Sequence, residues 1–245
     1  MPSGVVPVRR VRLGTRPVEY ALTHSRRKTV ALRVDDRGLR VSAPQRMSLK
    51  RIERFLEEHA DWVLRHLDAW AERPRPASIA LEHGASFPWL GHPCRIEVEQ
   101  GRSAAQWRFD ETGAVLMLRC ARGQSVYRAA MKAIGARALE DFAIRVRRDA
   151  QRLGVVAPPV LLTNARTRWG SCSARAIRLN WRLCLMDRDL IDYVVAHEVA
   201  HLRHMDHSPA FWAVVEHVYP GARQARVRLK TVGRTLPELM DPEAV

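Results

Sequence analysis

The feature of this sequence that most constrains its fold is a pair of histidines four residues apart in an apolar run. Residues 193–202 read Tyr-Val-Val-Ala-His-Glu-Val-Ala-His-Leu, so His197 and His201 bound an H-E-x-x-H pattern. Good helix formers surround the pattern and Asp189 precedes it, which favours an α-helix. With about 3.6 residues per turn, side chains four positions apart project from one helix face, where two imidazoles can bind one metal ion.

Glu198 follows the first histidine and lies about 100° further round the helix. A metal held by His197 and His201 would therefore have this carboxylate beside it rather than bound to it. A carboxylate in that position can accept a proton from a water molecule on the metal, which is the task of a general base. We therefore predict Glu198 as the catalytic residue of a metal-dependent peptidase.

Two further histidines compete to be the third ligand. His204 lies on nearly the same helix face as the first two, but three side chains in a row along a straight helix cannot surround an ion tetrahedrally. Pro209 disfavours a helical conformation at Ser208, and the two residues together are a favourable N-cap and first turn for a new helix. The break is thus predicted near His207, which we predict as the third ligand; His204 and a carboxylate elsewhere stay open as alternatives.

Zinc is the metal that this ligand set predicts, because three protein ligands with an open fourth position are typical of catalytic zinc sites. The open position would hold the water that attacks a peptide bond. The resulting oxyanion needs a donor, for which Tyr193 and Arg168 are candidates, although a structural role is the simpler interpretation of each. The strand at 168–171 could also bind an extended peptide along its edge, with Trp169 either in the core or in the substrate site.

The amino-terminal third of the chain predicts strands followed by a helix. Alternating apolar residues predict strands at 18–22 and 29–34, the second forming a hairpin with 39–42. The turn of this hairpin would use Gly38 in the left-handed conformation. One core-facing helix is then predicted at 48–70, because a single stripe at helical spacing contains Ile52, Phe55, Leu56, His59, Val63, Leu67 and Trp70.

The rest of the chain continues the alternation of strands and helices. Prolines at 74 and 76 mark an internal boundary, and glycines then separate short antiparallel strands between residues 79 and 120. A turn at 110–113 is predicted to join the last two of these strands. A long amphipathic helix is predicted at 126–153, and the chain is predicted to be helical from Leu190 onward. Together these patterns predict an α+β fold.

Several motifs resemble those of the YgjP-like metallopeptidases. The resemblance covers residues 18–233, and its motifs occur in the expected order. These are Asn-Ala-Arg-Thr-Arg-Trp-Gly-Ser-Cys-Ser at 164–173, Ile-Arg-Leu-Asn-Trp-Arg-Leu at 177–183, the H-E-x-x-H segment at 193–202, and His-Ser-Pro-Ala-Phe-Trp at 207–212.

The resemblance implies a zincin of the H-E-x-x-H type, similar to the WLM and SprT-like groups, with an antiparallel sheet beside the active-site helix. It implies a zinc-dependent hydrolase that uses His197, His201 and His207 as ligands and Glu198 as catalytic acid/base. The sequence departs from the family pattern in segment 173–177, which lacks the usual glycine, and in having aspartate rather than asparagine just before the third histidine. Neither departure removes a ligand or the base.

The resemblance also suggests a division of the chain into parts. We expect one metallopeptidase domain at 18–233, flanked by tails at 1–17 and 234–245; residues 1–15 are interpreted as either a tail or a loose first strand. Within it we expect β-hairpins and an amphipathic helix at 18–76, antiparallel strands at 77–124 and a zincin-like catalytic core at 125–233.

The charge balance suggests an alternative function. The chain has 41 Lys and Arg against 26 Asp and Glu, a formal net charge of +15. A field of that sign attracts polyanions, so non-specific contact with nucleic acid is an open possibility. The alternative is a basic, nucleic-acid-associated zinc protein, either a DNA-linked protease or a non-catalytic module stabilised by zinc. A zincin scaffold without turnover is a further alternative, but Glu198 argues against both non-catalytic versions because a structural site has no use for it.

The spacing of the cysteines and the hydropathy of the chain suggest the cellular compartment of the protein. The four cysteines are widely spaced and form no C-x-x-C pair, so we expect reduced thiols rather than a disulfide framework or a zinc ribbon. The sequence lacks the apolar stretches of a secretory signal or a membrane span. We therefore expect a cytoplasmic enzyme with a peptide or protein substrate and no membrane partner.

Overall fold

The computed structural model describes residues 7–35, 38–72, 76–111 and 113–243. The chain divides after residue 74 into two units, and each has a hydrophobic core of its own. Helices and sheets occur in both units, so the α+β class predicted from the sequence is confirmed. None of the helices in the described ranges is both long and apolar enough to cross a membrane.

The first unit consists of β1 (Val8–Leu13), β2 (Arg16–Ser25), β3 (Ala31–Asp35), β4 (Gly38–Pro44), α1 (Leu49–Glu58) and α2 (Ala60–Ala71). Its strands form one sheet in the order β1-β2-β4-β3, in which β2 and β4 are parallel and the other pairs antiparallel. β1 lies in the segment expected to be either a tail or a loose first strand, and it is a strand that pairs with β2 along its whole length. Gly38 has a φ of 85°, as predicted for the β3/β4 turn, whereas residues 36 and 37 of that turn lie outside the described ranges.

The helix predicted as one element in this unit is in fact two. His59 has a φ of −110° and separates α1 from α2, so the apolar stripe is interrupted. Ile52, Leu56 and Val63 are buried as predicted. His59 was predicted on the core face but is exposed, and its Nδ1 donates to the carbonyl oxygen of Phe55 at 2.8 Å.

The second unit carries the H-E-x-x-H segment. A short 3₁₀ helix at Trp181–Leu185 leads into the helix that bears this segment. The other elements are β5 (Ser78–Ala80), β6 (Ser86–Trp89), β7 (His92–Gln100), β8 (Ala104–Asp110), β9 (Gly113–Cys120), α3 (Val126–Arg152), β10 (Val160–Thr163), β11 (Gly170–Cys172), β12 (Ile177–Asn180), α4 (Arg188–Ala200), α5 (Pro209–Val218), α6 (Ala222–Thr235) and β13 (Glu238–Met240).

The first sheet of this unit differs in one pairing from the prediction. Its order is β6-β7-β9-β8, and the predicted antiparallel hairpin of β8 and β9 is present, although Thr112 of its turn is outside the described residues. β7 was predicted to be antiparallel to its neighbours but pairs with β9 in parallel. The reason is the burial of the two later strands. Because β8 is exposed along most of its length, it lies at the edge of the sheet, whereas β9, with alternate residues buried, lies in the centre between β8 and β7.

Two smaller sheets complete the unit. β10, β12 and β11 form a sheet in that order, with β10 and β12 parallel and β11 antiparallel to β12, so β11 is an edge strand. β13 lies in the other segment expected to be a tail, and it pairs in parallel with β5. The edge position of β11 is the feature of these sheets that bears on the site.

Helices α3 and α4 pack against each other in the core of the second unit. Charged groups also join them: Asp192 of α4 accepts hydrogen bonds from Arg145 at 2.7 Å and from Arg148 at 2.8 Å, both on α3. Arg145 is itself 9% exposed and also donates to Asp141 at 2.5 Å. These contacts fix the position of α4 relative to its neighbour.

Candidate active site

Helix α4 is buried on most sides, which holds its histidines in a defined direction. Nine of its thirteen residues are buried, from Leu190 to Ala200. A helix that is apolar nearly all round belongs in a core, and this one packs against α3, α5, α6 and β11. His197 and His201 emerge on the side facing α5, where aromatic rings of that helix surround them: Phe211 stacks on His201 with centroids 4.5 Å apart and meets His197 edge-on at 5.0 Å.

His207 joins the two histidines of α4. One ligand atom from each of His197, His201 and His207 lies within 4.8 Å of the others. The Nε2 atoms of His197 and His207 are 3.3 Å apart. Two nitrogens bound to one zinc at tetrahedral angles are about 3.4 Å apart, so the spacing fits a shared cation. Imidazole nitrogens are also the donors that suit zinc, and the residues present therefore fit this metal.

The turn after α4 brings His207 into position, although it begins earlier than the sequence predicted. α4 ends at Ala200, not near residue 206, and the chain turns before α5 begins at Pro209. Ser208 is the N-cap of α5 as predicted, and its Oγ accepts from the backbone N–H of Phe211 at 3.4 Å. The Oδ1 of Asp206 accepts a hydrogen bond from the backbone N–H of Ser208 at 3.1 Å, and this bond constrains the backbone on both sides of His207.

His204 is not part of this group. Its backbone oxygen accepts a hydrogen bond from Nδ1 of His201 at 3.0 Å. Since Nδ1 must carry the proton in this bond, Nε2 of His201 keeps its lone pair free for a metal. His204 thus contributes its carbonyl to the orientation of His201 rather than its own imidazole.

The pKa values of the α4 histidines favour neutral, metal-binding rings at neutral pH. Burial lowers the pKa of His197 to about 4, and the charges of His201, His207 and Arg226 add to the effect. Burial also lowers the pKa of His201, although its bond to the His204 carbonyl opposes this. Metal ions bind the neutral imidazole, so these shifts suit a ligand role.

Glu198 is buried beside the histidine cluster and touches the edge strand. It is 5% exposed, and burial raises its pKa to about 7, opposed by the positive charge of Arg168. A Cβ added to Gly170 of β11 would lie 2.5 Å from Oε1 of Glu198. The carboxylate therefore packs directly on the backbone of β11, which only a glycine at this position permits.

A buried asparagine fixes the loop that precedes β11. Asn180 is 2% exposed, and its Nδ2 donates to the carbonyl oxygens of Ala165 at 2.7 Å and Arg168 at 3.2 Å. Its backbone N–H also donates to the carbonyl oxygen of Trp169 at 2.8 Å. Sequence reasoning did not assign a role to Asn180 or Gly170, although both lie within the segments that carry the family resemblance.

A cleft of about 240 Å³ opens beside Glu198 and His197. Tyr193, one of the two predicted oxyanion donors, lines it and is 4% exposed, whereas Arg168, the other, is not part of the lining. Trp169 lines it too and packs against α6, where a Cβ on Gly233 would lie 2.6 Å from the indole. Two basic residues of α6, Arg226 and Lys230, complete the wall; the only signal for them in the sequence is their spacing of four residues.

Three converging imidazoles beside a buried carboxylate are typical of metal-dependent hydrolases. The family comparison agrees: the model of the YgjP-like metallopeptidase domain matches residues 28–232, and the chain belongs to this family. No curated protein matches the sequence. Among solved structures, the chain is similar to the crystal structure of the metallopeptidase zymogen of Pyrococcus abyssi abylysin, with 25% identity, 40% of this chain and 98% of that chain covered, and a TM-score of 0.35.

Proposed function

We propose that this metallopeptidase is a zinc enzyme in which His197, His201 and His207 hold the metal and Glu198 is the general base. The observation that carries the proposal is the convergence of three imidazole nitrogens within 4.8 Å beside a carboxylate that is 5% exposed. A zinc ion held in this way would lower the pKa of a bound water to about 7 and polarise the peptide carbonyl. We further propose that residues 125–233 form the catalytic core of the domain at 18–233.

The environment of Glu198 supports its proposed role as the base. Its pKa is raised to about 7 by burial, which is close to the value at which a carboxylate can both accept and return a proton near neutral pH. In the proposed reaction Glu198 takes a proton from the attacking water and delivers it to the nitrogen of the leaving amine. The water oxygen forms the new bond to the carbonyl carbon as the carbon–nitrogen bond breaks. The second proton of the water also passes to the nitrogen, so the products are a carboxylate and an ammonium group.

The substrate is proposed to bind as an extended chain along β11. This strand is at the edge of its sheet, and within the described residues no other strand pairs with its free side. Gly170 brings the backbone of β11 against Glu198, so a peptide hydrogen-bonded to this edge would run past the base. Tyr193 is the better candidate for contact with the oxyanion, because it lines the cleft and Arg168 does not.

The test is metal analysis together with proteolysis, comparing the wild type with Glu198→Gln. We expect about one zinc per chain in both proteins and a loss of peptide hydrolysis of about 10²-fold or more in the variant, because only the base has been removed. Glu140→Gln is the control, since Glu140 lies on the surface of α3 and pairs with Arg137. Zinc retention with no hydrolysis of any unstructured protein by the wild type would contradict the assignment.

The nucleic-acid alternative can be tested in the same assay. The net charge of +15 is the observation in its favour. If the protein is a DNA-linked protease, hydrolysis will require or be stimulated by added DNA and lose that stimulation as the salt concentration rises. Hydrolysis that is independent of DNA would support the simpler peptidase.

A further inference from the structure

The cleft beside the proposed base has one strongly basic wall. Arg226 and Lys230 lie four residues apart on α6, so they project from one face of the helix. Both line the cleft together with His197 and Glu198, and both are exposed to solvent. Glu198 is the one acidic residue in the described lining of the cleft.

Neither of these cations has an acidic partner among the residues that the structure describes. In the described ranges, no carboxylate forms an ion pair with Arg226 or Lys230. The contrast lies on the same helix: Arg228 points to another side and pairs with both Asp187 and Asp189. Within the described part of the chain, α6 therefore uses Arg228 in structural ion pairs and presents Arg226 and Lys230 at the cleft without a carboxylate partner.

Arg226 is held near the histidine cluster by an aromatic contact. Its guanidinium lies over the ring of Trp212, 5.1 Å from the centroid, and the Trp212 ring is in turn 5.7 Å from that of His197. The charge of Arg226 also acts on Tyr193: burial raises the pKa of this tyrosine, and the arginine partly opposes the rise. The cation is thus anchored beside the groups proposed to carry out hydrolysis.

We propose that Arg226 and Lys230 form a carboxylate-binding subsite that makes the enzyme prefer peptides with a negative charge near the scissile bond. This inference rests on the proposed function of the cleft. A guanidinium binds a carboxylate through two parallel hydrogen bonds, and the lysine adds a second positive charge one turn away. The carboxylate belongs either to an Asp or Glu side chain or to the carboxyl terminus of the peptide.

The charges of Arg226 and Lys230 also disfavour substrates with a positive charge at this position. A lysine or arginine side chain in this part of the cleft would meet two like charges with no acidic group other than Glu198 to offset them. Trp169 and Leu229 add apolar surface beside the cations, which strengthens charge interactions by excluding water. Because Arg226 and Lys230 are exposed, salt will screen part of the effect.

The test uses fluorogenic peptides that differ at one position. Glu, Gln or Lys is placed in turn at each of three positions on either side of the scissile bond, and a second set ends in a free carboxylate or an amide. At one position we expect kcat/KM for Glu to exceed that for Gln by about tenfold, with Lys lowest. A preference for the free carboxylate over the amide would instead identify the carboxyl terminus as the bound group.

Variants of the two basic residues of α6 test whether they cause the preference for the Glu peptide. Arg226→Ala and Lys230→Ala should each lower the ratio of kcat/KM for the Glu peptide to kcat/KM for the Gln peptide. Replacement of both residues by glutamate should bring this ratio below one. Arg147→Glu is the matched control, because Arg147 is an exposed residue of α3 without an ion pair among the described residues and does not line the cleft. We expect this control to keep the wild-type ratio. An equal fall in kcat for all peptides in Arg226→Ala would mean that it acts on the transition state, which would overturn its role in selectivity.

Measurements of peptide binding distinguish a failure of this inference from a failure of the proposed function. The same peptides, labelled with fluorescein, are titrated with the Glu198→Gln protein and followed by anisotropy. Tighter binding of the Glu peptide by about tenfold, lost in the α6 variants, supports the subsite even if no peptide is cleaved. Cleavage by the wild type with equal kcat/KM and equal affinity for Glu and Gln peptides would overturn the subsite and leave the peptidase intact.

Discussion

At the scale of single residues, the site depends on one close contact between a backbone and a carboxylate. Glu198 packs on β11 at Gly170, where the space is too small for any side chain. The contact holds the proposed base between the helix that carries the histidines and the strand proposed to bind the peptide. A glycine is therefore required here by space rather than by backbone conformation, since its φ is not in the left-handed region.

The first prediction concerns this glycine. In Gly170→Ala the new Cβ would lie 2.5 Å from Oε1 of Glu198, so the carboxylate must move and kcat/KM should fall by at least about tenfold with zinc retained. Gly135→Ala is the control, because a Cβ there meets only a methyl of Leu162 at 3.6 Å in the middle of α3. We expect the control to keep its activity and gain slightly in thermal stability. Wild-type turnover in Gly170→Ala would contradict the importance of the contact.

At the scale of secondary-structure elements, α4 was the easiest to predict and its surroundings the hardest. The H-E-x-x-H helix and the Ser208–Pro209 start of α5 depend on local spacing and capping, so the sequence was sufficient for both. The end of α4 at Ala200 was not, because the turn is stabilised by tertiary contacts such as the hydrogen bond that Arg203 donates to the carbonyl oxygen of Leu153. β7 was paired wrongly for a similar reason: strand order depends on which strand is most buried, and that emerges only when all strands are packed.

The contribution of Arg226 and Lys230 was also beyond local sequence reasoning. They lie about thirty residues from Glu198 along the chain, and only the packing of α6 on α4 brings them to the same cleft. A basic residue on an exposed helix face is ordinary, so nothing in the sequence distinguished them from Arg228, which forms ion pairs.

The second prediction concerns the charged contact that joins α3 and α4. Asp192→Asn leaves Arg145 with one carboxylate partner, Asp141, where it had two. Since the Arg145 side chain is only 10% exposed, we expect the free energy of unfolding to fall by about 1–3 kcal/mol in urea titrations. Glu140→Ala, which breaks an exposed pair with Arg137, should change stability little. Equal stability of Asp192→Asn and the wild type would mean that the network is not structurally important.

At the scale of the whole molecule, the two units have separate cores and only one contains the histidine cluster. The proposed zinc would join α4 to the turn before α5, which are both in the second unit. Metal binding to the native state alone stabilises it by an amount that grows with the logarithm of the free metal concentration. Stabilisation by zinc should therefore act through the second unit, which holds all three proposed ligands.

The third prediction follows from this separation. Removal of the metal with a chelator should lower the unfolding temperature of the second unit by about 5–10 °C, since metal at a hundredfold excess over its Kd contributes about 2.7 kcal/mol. His204→Ala should respond to the chelator like the wild type, whereas His207→Ala should not respond. Differential scanning calorimetry with and without chelator measures both. A loss of response in His204→Ala, or an undiminished response in His207→Ala, would contradict the proposed ligand set.

The shortness of β11 has a consequence for a substrate that binds along it as proposed. Its three residues can offer backbone hydrogen bonds to only one or two residues of a docked chain. Such a brief ladder sets the direction of the chain but discriminates poorly between sequences and cannot draw a stretch of polypeptide out of a stable neighbouring fold. Regions that are already unfolded, such as termini and flexible linkers of other proteins, are accordingly the places where cuts should accumulate.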